Sequence, residues 1–209
     1  MRNVSLIAVL LLVGCGSEQE QLVERALRHG AARYNDGQFT AADSSFAEAP
    51  LDERAVFNRG NANFRMRQWT SAIAHFREAA AMDSSRLEQD RARFNLGNAH
   101  LAEALLADTL ARQQQELLDG IRVEGSDIAT KVSQFVLRDS IQRDVQRLQA
   151  LIDSSLTAAL EGFRASLRNQ PTDDDARYNF AYVQRLISRR PNAGDDGSKG
   201  GDGDKDKEL

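Results

Sequence analysis

The chain of 209 residues contains a single cysteine, Cys15, which excludes an internal disulfide framework. Proline is almost as scarce: of Pro50, Pro171 and Pro191, none lies between Arg65 and Leu167, so that span holds no residue that must break a helix. Aromatics make up 6% of the chain, and runs alternating β-branched or aromatic residues with polar ones are missing after the N-terminus, which argues against a sheet. The net charge is −4, and no basic stripe with interleaved aromatics is present, which excludes the usual nucleic-acid footprint. Phosphate-loop, nucleophile-elbow and paired-carboxylate motifs are absent. His29, His75 and His100 have no cysteine or carboxylate at metal-ligand spacing. The run Asp202-Gly203-Asp204-Lys205-Asp206 lacks the central glycine, terminal glutamate and flanking helices of a calcium loop. No catalytic residue, metal or cofactor is expected, and the chain reads as a non-enzyme.

What is abundant is Ala, Leu, Arg, Gln and Glu, all good helix formers, so the expected class is all-α. The chain also repeats itself. "FNRGNANF" begins at Phe57 and "FNLGNAHL" at Phe94, 37 residues later. Copies of a phrase at such a spacing mark a stacked structural unit rather than a catalytic motif. After Gly60 come Trp69, Ala72, Phe76 and Ala79; after Gly30, at the same offsets, come Phe39, Ala42, Phe46 and Ala49. The rule predicts pairs of short antiparallel helices. Gly30 and Gly60 allow close approach, since a Cβ would hold the helices apart. Ala42 and Ala72 serve the same end, and Phe46 and Phe76 fill the space between one pair and the next. Asn35-Asp36-Gly37 and Arg65-Met66-Arg67-Gln68 are the turns.

The third unit is different. Its first helix is strong, but the sequence then stays helical through Leu101, Leu105, Leu106, Leu110, Leu117 and Leu118. A turn follows at Val123-Glu124-Gly125-Ser126-Asp127, with Ser126 or Asp127 as N-cap. A second long helix runs to about Asn169 on a stripe from Ile128 through Val145 and Ile152 to Leu167, in steps of three and four. Ala159, Phe163, Ser166 and Pro171 near its end suit the second helix of a unit. The third unit is therefore expected at 90–101 and 156–171, split by an inserted helical hairpin at 102–155. The hairpin either projects as an arm or folds back as extra core. Residues 172–188 form a capping helix, with Thr172 or Asp173 as N-cap and an Asp run suited to the positive helix start. From 189 to 209 the composition is Gly, Asp and Lys, which cannot bury a core and is expected to be disordered.

At the other end, Arg2 precedes an apolar run from Val4 to Val13, too short to span a bilayer and suited to a signal peptide. Leu12-Val13-Gly14-Cys15 resembles a bacterial lipobox. That resemblance implies cleavage of 1–14 and lipidation of Cys15, with 15–21 as a polar tether that includes Glu18 and Glu20. The expected location is the bacterial envelope, membrane-anchored and facing the periplasm.

The repeat rule resembles the tetratricopeptide family. Gly60, Ala62, Phe64, Trp69, Ala72, Ile73, Phe76, Ala79 and Asp83 match its pattern, with Ser84 where a proline is usual. The resemblance implies a superhelix of about three repeats (22–52, 53–86 and the split third) plus a cap, within a domain at 22–188. It also implies a peptide-binding groove lined by the first helices. The groove positions would be Leu27, Ala31 and Tyr34; Arg54, Phe57, Asn61, Phe64 and Arg65; and Arg91, Phe94, Asn98 and Leu101. There the asparagines would hold a peptide backbone and Arg54 and Arg91 a carboxylate. The asparagines are equally readable as repeat residues that cap contacts between helices. The order of parts, ending in Asp175-Ala176-Arg177-Tyr178-Asn179 and a polar tail, resembles the BatC family of the Bacteroides aerotolerance operon over 22–101 and 158–187. That implies an envelope scaffold beside von Willebrand factor A-type proteins and a MoxR-type ATPase. An accessory lipoprotein of outer-membrane assembly or transport, and a homo-oligomer built through the hairpin, remain open.

Overall fold

The computed structural model describes residues 4–82, 85–124 and 127–190, with side chains from residue 18 onward. The described residues contain seven helices and no strand: α1 (Val4–Asn35), α2 (Phe39–Phe46), α3 (Glu53–Arg65), α4 (Trp69–Ala81), α5 (Arg86–Gly120), α6 (Ile128–Leu167) and α7 (Asp174–Ser188). The all-α expectation holds. None of the described helices is long and apolar enough to cross a membrane.

Local chemistry explains most helix ends. Asp52 accepts from the Arg54 and Ala55 amides at the start of α3, Asp127 from Thr130 at α6 and Asp173 from Ala176 at α7. Each satisfies amides that have no partner within the helix. At α5, Ser85 and Glu88 form a reciprocal capping box, so the helix starts at Arg86 rather than near Asp90. Helix α2 stops at Phe46, one turn before Pro50. The segment 15–21, expected as a tether, is helical and belongs to α1. The side chain of Cys15, the repeat positions Asp83 and Ser84, the turn residues Gly125 and Ser126 and the tail 191–209 lie outside what the structure describes.

The two short turns are copies of one another. Gly37 and Arg67 both adopt positive φ, 76° and 60°. Their amides donate to Tyr34 and Phe64 carbonyls, while Gln38 and Gln68 donate to Arg33 and Asn63. The packing is copied too. A Cβ on Gly30 would come within 2.3 Å of the Phe46 ring, one on Gly60 within 2.6 Å of Phe76, and one on Gly97 within 2.9 Å of Phe163. Each phenylalanine thus fills the hollow left by the glycine of its own helix pair, and Phe46 and Phe76 also reach the next pair, clustering with Ala55 and Ala62 of α3 and with Ala99 of α5. The third contact bridges α5 and α6, whose backbones are close enough at Gly97 and Gly162 that a Cβ on Gly162 would meet the Gly97 Cα at 2.9 Å.

Polar ties link successive elements. Asp43 accepts from Arg59 and Asn63 across α2 and α3. The buried Asp90 accepts from Arg93 and from Asn169, just past the end of α6. Arg33 binds Ser45 across α1 and α2. The largest apolar cluster gathers Leu101, Ala104, Ala107 and Ala111 of α5, Ile152, Leu156 and Phe163 of α6, and Val183 of α7. Beyond Ala111, only Leu118 on α5 and Val145 on α6 are buried; Leu117, Ile128, Val132, Phe135, Val136 and Leu137 are exposed. The hairpin base belongs to the core and its outer half projects from it. At the other end of the core, Arg190, expected within the tail, is held by Asp153 and by the Gln149 side chain and carbonyl.

Candidate protein-interaction surface

Alternate helices lie side by side. Arg54 of α3 pairs with Glu24 of α1 at 3.0 Å. Asn95 Nδ2 of α5 donates to Asn61 Oδ1 of α3 at 3.0 Å. Asn179 Nδ2 of α7 donates to Asn98 Oδ1 of α5 at 2.9 Å. These bonds place α1, α3, α5 and α7 in one row. Along it runs a ladder of half-buried asparagines, Asn58, Asn61, Asn95, Asn98 and Asn179. Asn61 also donates to Asn58 at 3.4 Å. Asn61 uses both ends of its amide in the ladder, whereas Asn58, Asn95, Asn98 and Asn179 each use one end in these bonds and keep the other for a ligand. Asn179 carries the last rung; its signal in the sequence is Ala176-Arg177-Tyr178-Asn179, which parallels Ala92-Arg93-Phe94-Asn95.

The other groove candidates separate into two groups. The rings are already engaged: Phe57 lies 5.7 Å from Phe76, Phe64 5.1 Å from Trp69 and Phe94 5.7 Å from Phe163, centroid to centroid. Leu101 is buried in the main core and does not line a surface, because α6 and α7 cover that face of α5. Leu27 packs against the first-pair core, and Ala31 is exposed. The charged and amphipathic positions face outward. Arg65 extends over Tyr34 and Phe39, 5.8 and 4.6 Å from the ring centroids, joining the first turn to the end of α3 by cation–π contact.

Arg54 and Arg91 do come together, in a recess of about 320 Å³ shared with Glu53, Phe57, Asn58 and Glu88. Their expected equivalence fails. Arg54 is chelated by Asp52 and by Glu24, and the hydrogen bonding it donates to Asp52 is the main cause that holds its pKa above the ordinary value. Arg91 is exposed and has no ion pair among the described residues, so it is the cation of the recess open to a carboxylate. Burial, reinforced by the carboxylates of Glu88 and Asp52, pushes the Glu53 carboxyl above its ordinary value. Two glutamates facing two arginines give a nearly neutral recess, which favours a polar peptide over a strongly acidic one.

His75 lies on α4 and His100 on α5, both half-buried. Burial lowers both, and the nearby Glu78 and Glu103, each 3.8 Å away, oppose that only in part. Both Nδ1 atoms are buried without a hydrogen-bond partner, so they are read as neutral packing residues. Among the described residues no group of three or more His, Cys, Asp or Glu is placed to hold a metal. No protein-family model matches the chain, and no curated protein shows significant similarity to it.

Proposed function

We propose that this chain is a tetratricopeptide-type adaptor, lipid-anchored through Cys15 in a bacterial envelope, that binds an extended segment of a partner protein along the asparagine row. The observation that carries the reading is recurrence. The same glycine–phenylalanine contact is made three times, twice with the same turn, and the alternate helices of these pairs align to expose one polar strip. In the third pair the glycine and phenylalanine are separated by the whole α5–α6 hairpin, which supports a split third repeat. The strip offers amide donors and acceptors and the free guanidinium of Arg91, a set suited to peptide backbone and a side-chain carboxylate. The anchor rests on the apolar run that ends at the lone cysteine. By the family resemblance, von Willebrand factor A-type membrane proteins are the first partners to look for.

The test is capture from detergent-solubilised envelopes. Wild type is compared with Asn61→Ala/Asn98→Ala, with Arg91→Glu and with a deletion of 102–155, and co-purifying proteins are identified by mass spectrometry. Loss of one partner in both strip variants, with helicity and melting point retained in Arg91→Glu, supports the adaptor. Partners unchanged in both, but lost on deletion of the hairpin, would move the function to the arm.

A further inference from the structure

We infer that the segment bound in the recess between α3 and α5 carries a basic and an acidic side chain on one face, the basic one received by Glu53 and the acidic one by Arg91, which rests on the reading of the asparagine row as a peptide site and names its ligand there. Two repeats write the same pair of charges at the same place. Glu53-Arg54 opens α3, and Asp90-Arg91 stands 37 residues later in α5. The fold satisfies opposite members of the two pairs. In the first, Arg54 is held by Asp52 and Glu24, while the Glu53 side chain makes no ion pair or hydrogen bond among the described residues. In the second, Asp90 is buried and accepts from Arg93 and Asn169, while Arg91 is exposed and unpaired among the described residues. The cause is local: where the second pair has Arg93 one turn along, the first has Val56, which offers Glu53 no donor.

The two leftover charges meet in one place. Glu53 and Arg91 line the same recess of about 320 Å³, yet no ion pair joins them among the described residues. Glu88, on the same wall, is committed to the capping box, where its carboxylate accepts from the Ser85 amide and hydroxyl. Four carboxylates, Glu24, Asp52, Glu53 and Glu88, thus stand around Arg54 and Arg91, so a purely acidic segment is repelled and one that brings a cation is drawn in. The Glu53 carboxyl is raised above its ordinary value first by burial and then by Glu88 and Asp52, as befits a carboxylate short of positive partners. A purely basic segment fails at the other charge, because it leaves Arg91 unmatched and sets a like charge beside it. In an extended segment residues i and i+2 share a face. The matching motif is therefore Lys or Arg, any residue, then Asp or Glu, in either order. The half-buried Phe57 ring in the recess gives a lysine or arginine stem an apolar surface to lie on. Asn58 accepts within the row through its Oδ1, and its Nδ2 is left to donate to a backbone carbonyl of the segment.

Fluorescence anisotropy on the full chain in non-ionic detergent, at low ionic strength where surface charges are least screened, tests this. The probes are the end-capped peptides Gly-Lys-Ser-Asp-Gly, Gly-Asp-Ser-Asp-Gly, Gly-Lys-Ser-Lys-Gly and Gly-Ser-Ser-Ser-Gly, each carrying an uncharged fluorophore. Wild type should bind the Lys/Asp peptide at least about fivefold more tightly than the others, since each of those loses one or both pairings and two of them add a repulsion. Glu53→Lys should move the preference to the Asp/Asp peptide, and Arg91→Glu to the Lys/Lys peptide. Glu53→Lys/Arg91→Glu keeps both charges with their places exchanged and should prefer the Lys/Asp peptide again, a recovery that damage to the fold would not show. Asn61→Ala/Asn98→Ala should weaken every peptide and keep the ranking. A wild type that binds all four alike, a ranking that the Glu53 and Arg91 variants leave unchanged, or no recovery in the exchanged pair would each overturn the inference, and weakening of all four by the asparagine variant would then still uphold the row as a peptide site. A wild type that binds none of them at about 1 mM would overturn both.

Discussion

Replacing Gly60 by alanine sets two known effects against each other. In a helix interior the change is worth about 1 kcal/mol in favour of alanine, from backbone entropy alone. Here the new Cβ would lie 2.6 Å from two atoms of the Phe76 ring and 3.1 Å from a third, where ordinary contact begins near 3.4 Å. The ring must retreat by about 0.8 Å, and it has nowhere to go: Phe76 is 1% exposed, with Phe57 on one side and Ala72, Ile73 and Ala99 around it. With its neighbours fixed, overpacking of this kind costs about 2–3 kcal/mol, the upper part of the usual range, so the net expectation is a loss of about 1–2 kcal/mol despite the better helix former. Gly120, at the end of α5, has nothing within 4 Å of the position its Cβ would take, and Gly120→Ala should be neutral or stabilising. Urea denaturation followed by circular dichroism reads both, as a shift in midpoint at constant slope. The decisive member is Gly60→Ala/Phe76→Leu. If ring and glycine fill one hollow, the smaller leucine makes room for the methyl, and the double variant is more stable than the sum of the single changes predicts by about 0.5–3 kcal/mol. Additive changes, or a Gly60→Ala variant as stable as Gly120→Ala, would refute the packing argument on which the repeat reading rests.

Two further expectations follow from particular residues. Arg67 holds φ of 60° at the position where the first turn has Gly37; the left-handed region costs an L-residue about 1–2 kcal/mol, and the extra freedom of glycine in the unfolded chain returns part of that, so Arg67→Gly should stabilise by about 0.5–1 kcal/mol in the same denaturation assay. His75 and His100 are held below the ordinary imidazole value in the fold, first by burial, so as the pH falls through about 6.5 the unfolded chain takes up protons that the folded chain does not, and stability is lost from there downward. His75 faces Arg59, Asp43 and Glu78, and His100 faces Glu103 and Arg77. Glu53, raised by burial, acts with the opposite sign but near the carboxylate range, outside this window. The urea midpoint of wild type should therefore be lower at pH 5.5 than at pH 7.5, and that of His75→Gln/His100→Gln should change much less.

The amino-acid order by itself determined whatever depends on neighbours within a turn or two. The all-α class, the Gly–Phe spacing, the two copied turns, the long apolar stripes of α5 and α6 and the caps at Asp127 and Asp173 are all local signals, read from periods of three and four and from residues that satisfy free amides. The Ser85–Glu88 capping box was equally local and could have been found the same way. Tertiary structure decided which of the readable side chains are free. Phe57, Phe64 and Phe94 looked like groove residues because they sit on first helices, but each is claimed by a ring 5 to 69 residues further along the chain. Asn98 finds its partner 81 residues away in Asn179, Arg54 adds to its neighbour Asp52 a second carboxylate, Glu24, from α1, and Arg190 is drawn from the tail onto Asp153. The physical reason is the same in each case. Periodicity specifies the face on which a residue lies, whereas satisfaction of a ring, an amide or a charge depends on what the chain brings to that face from far away.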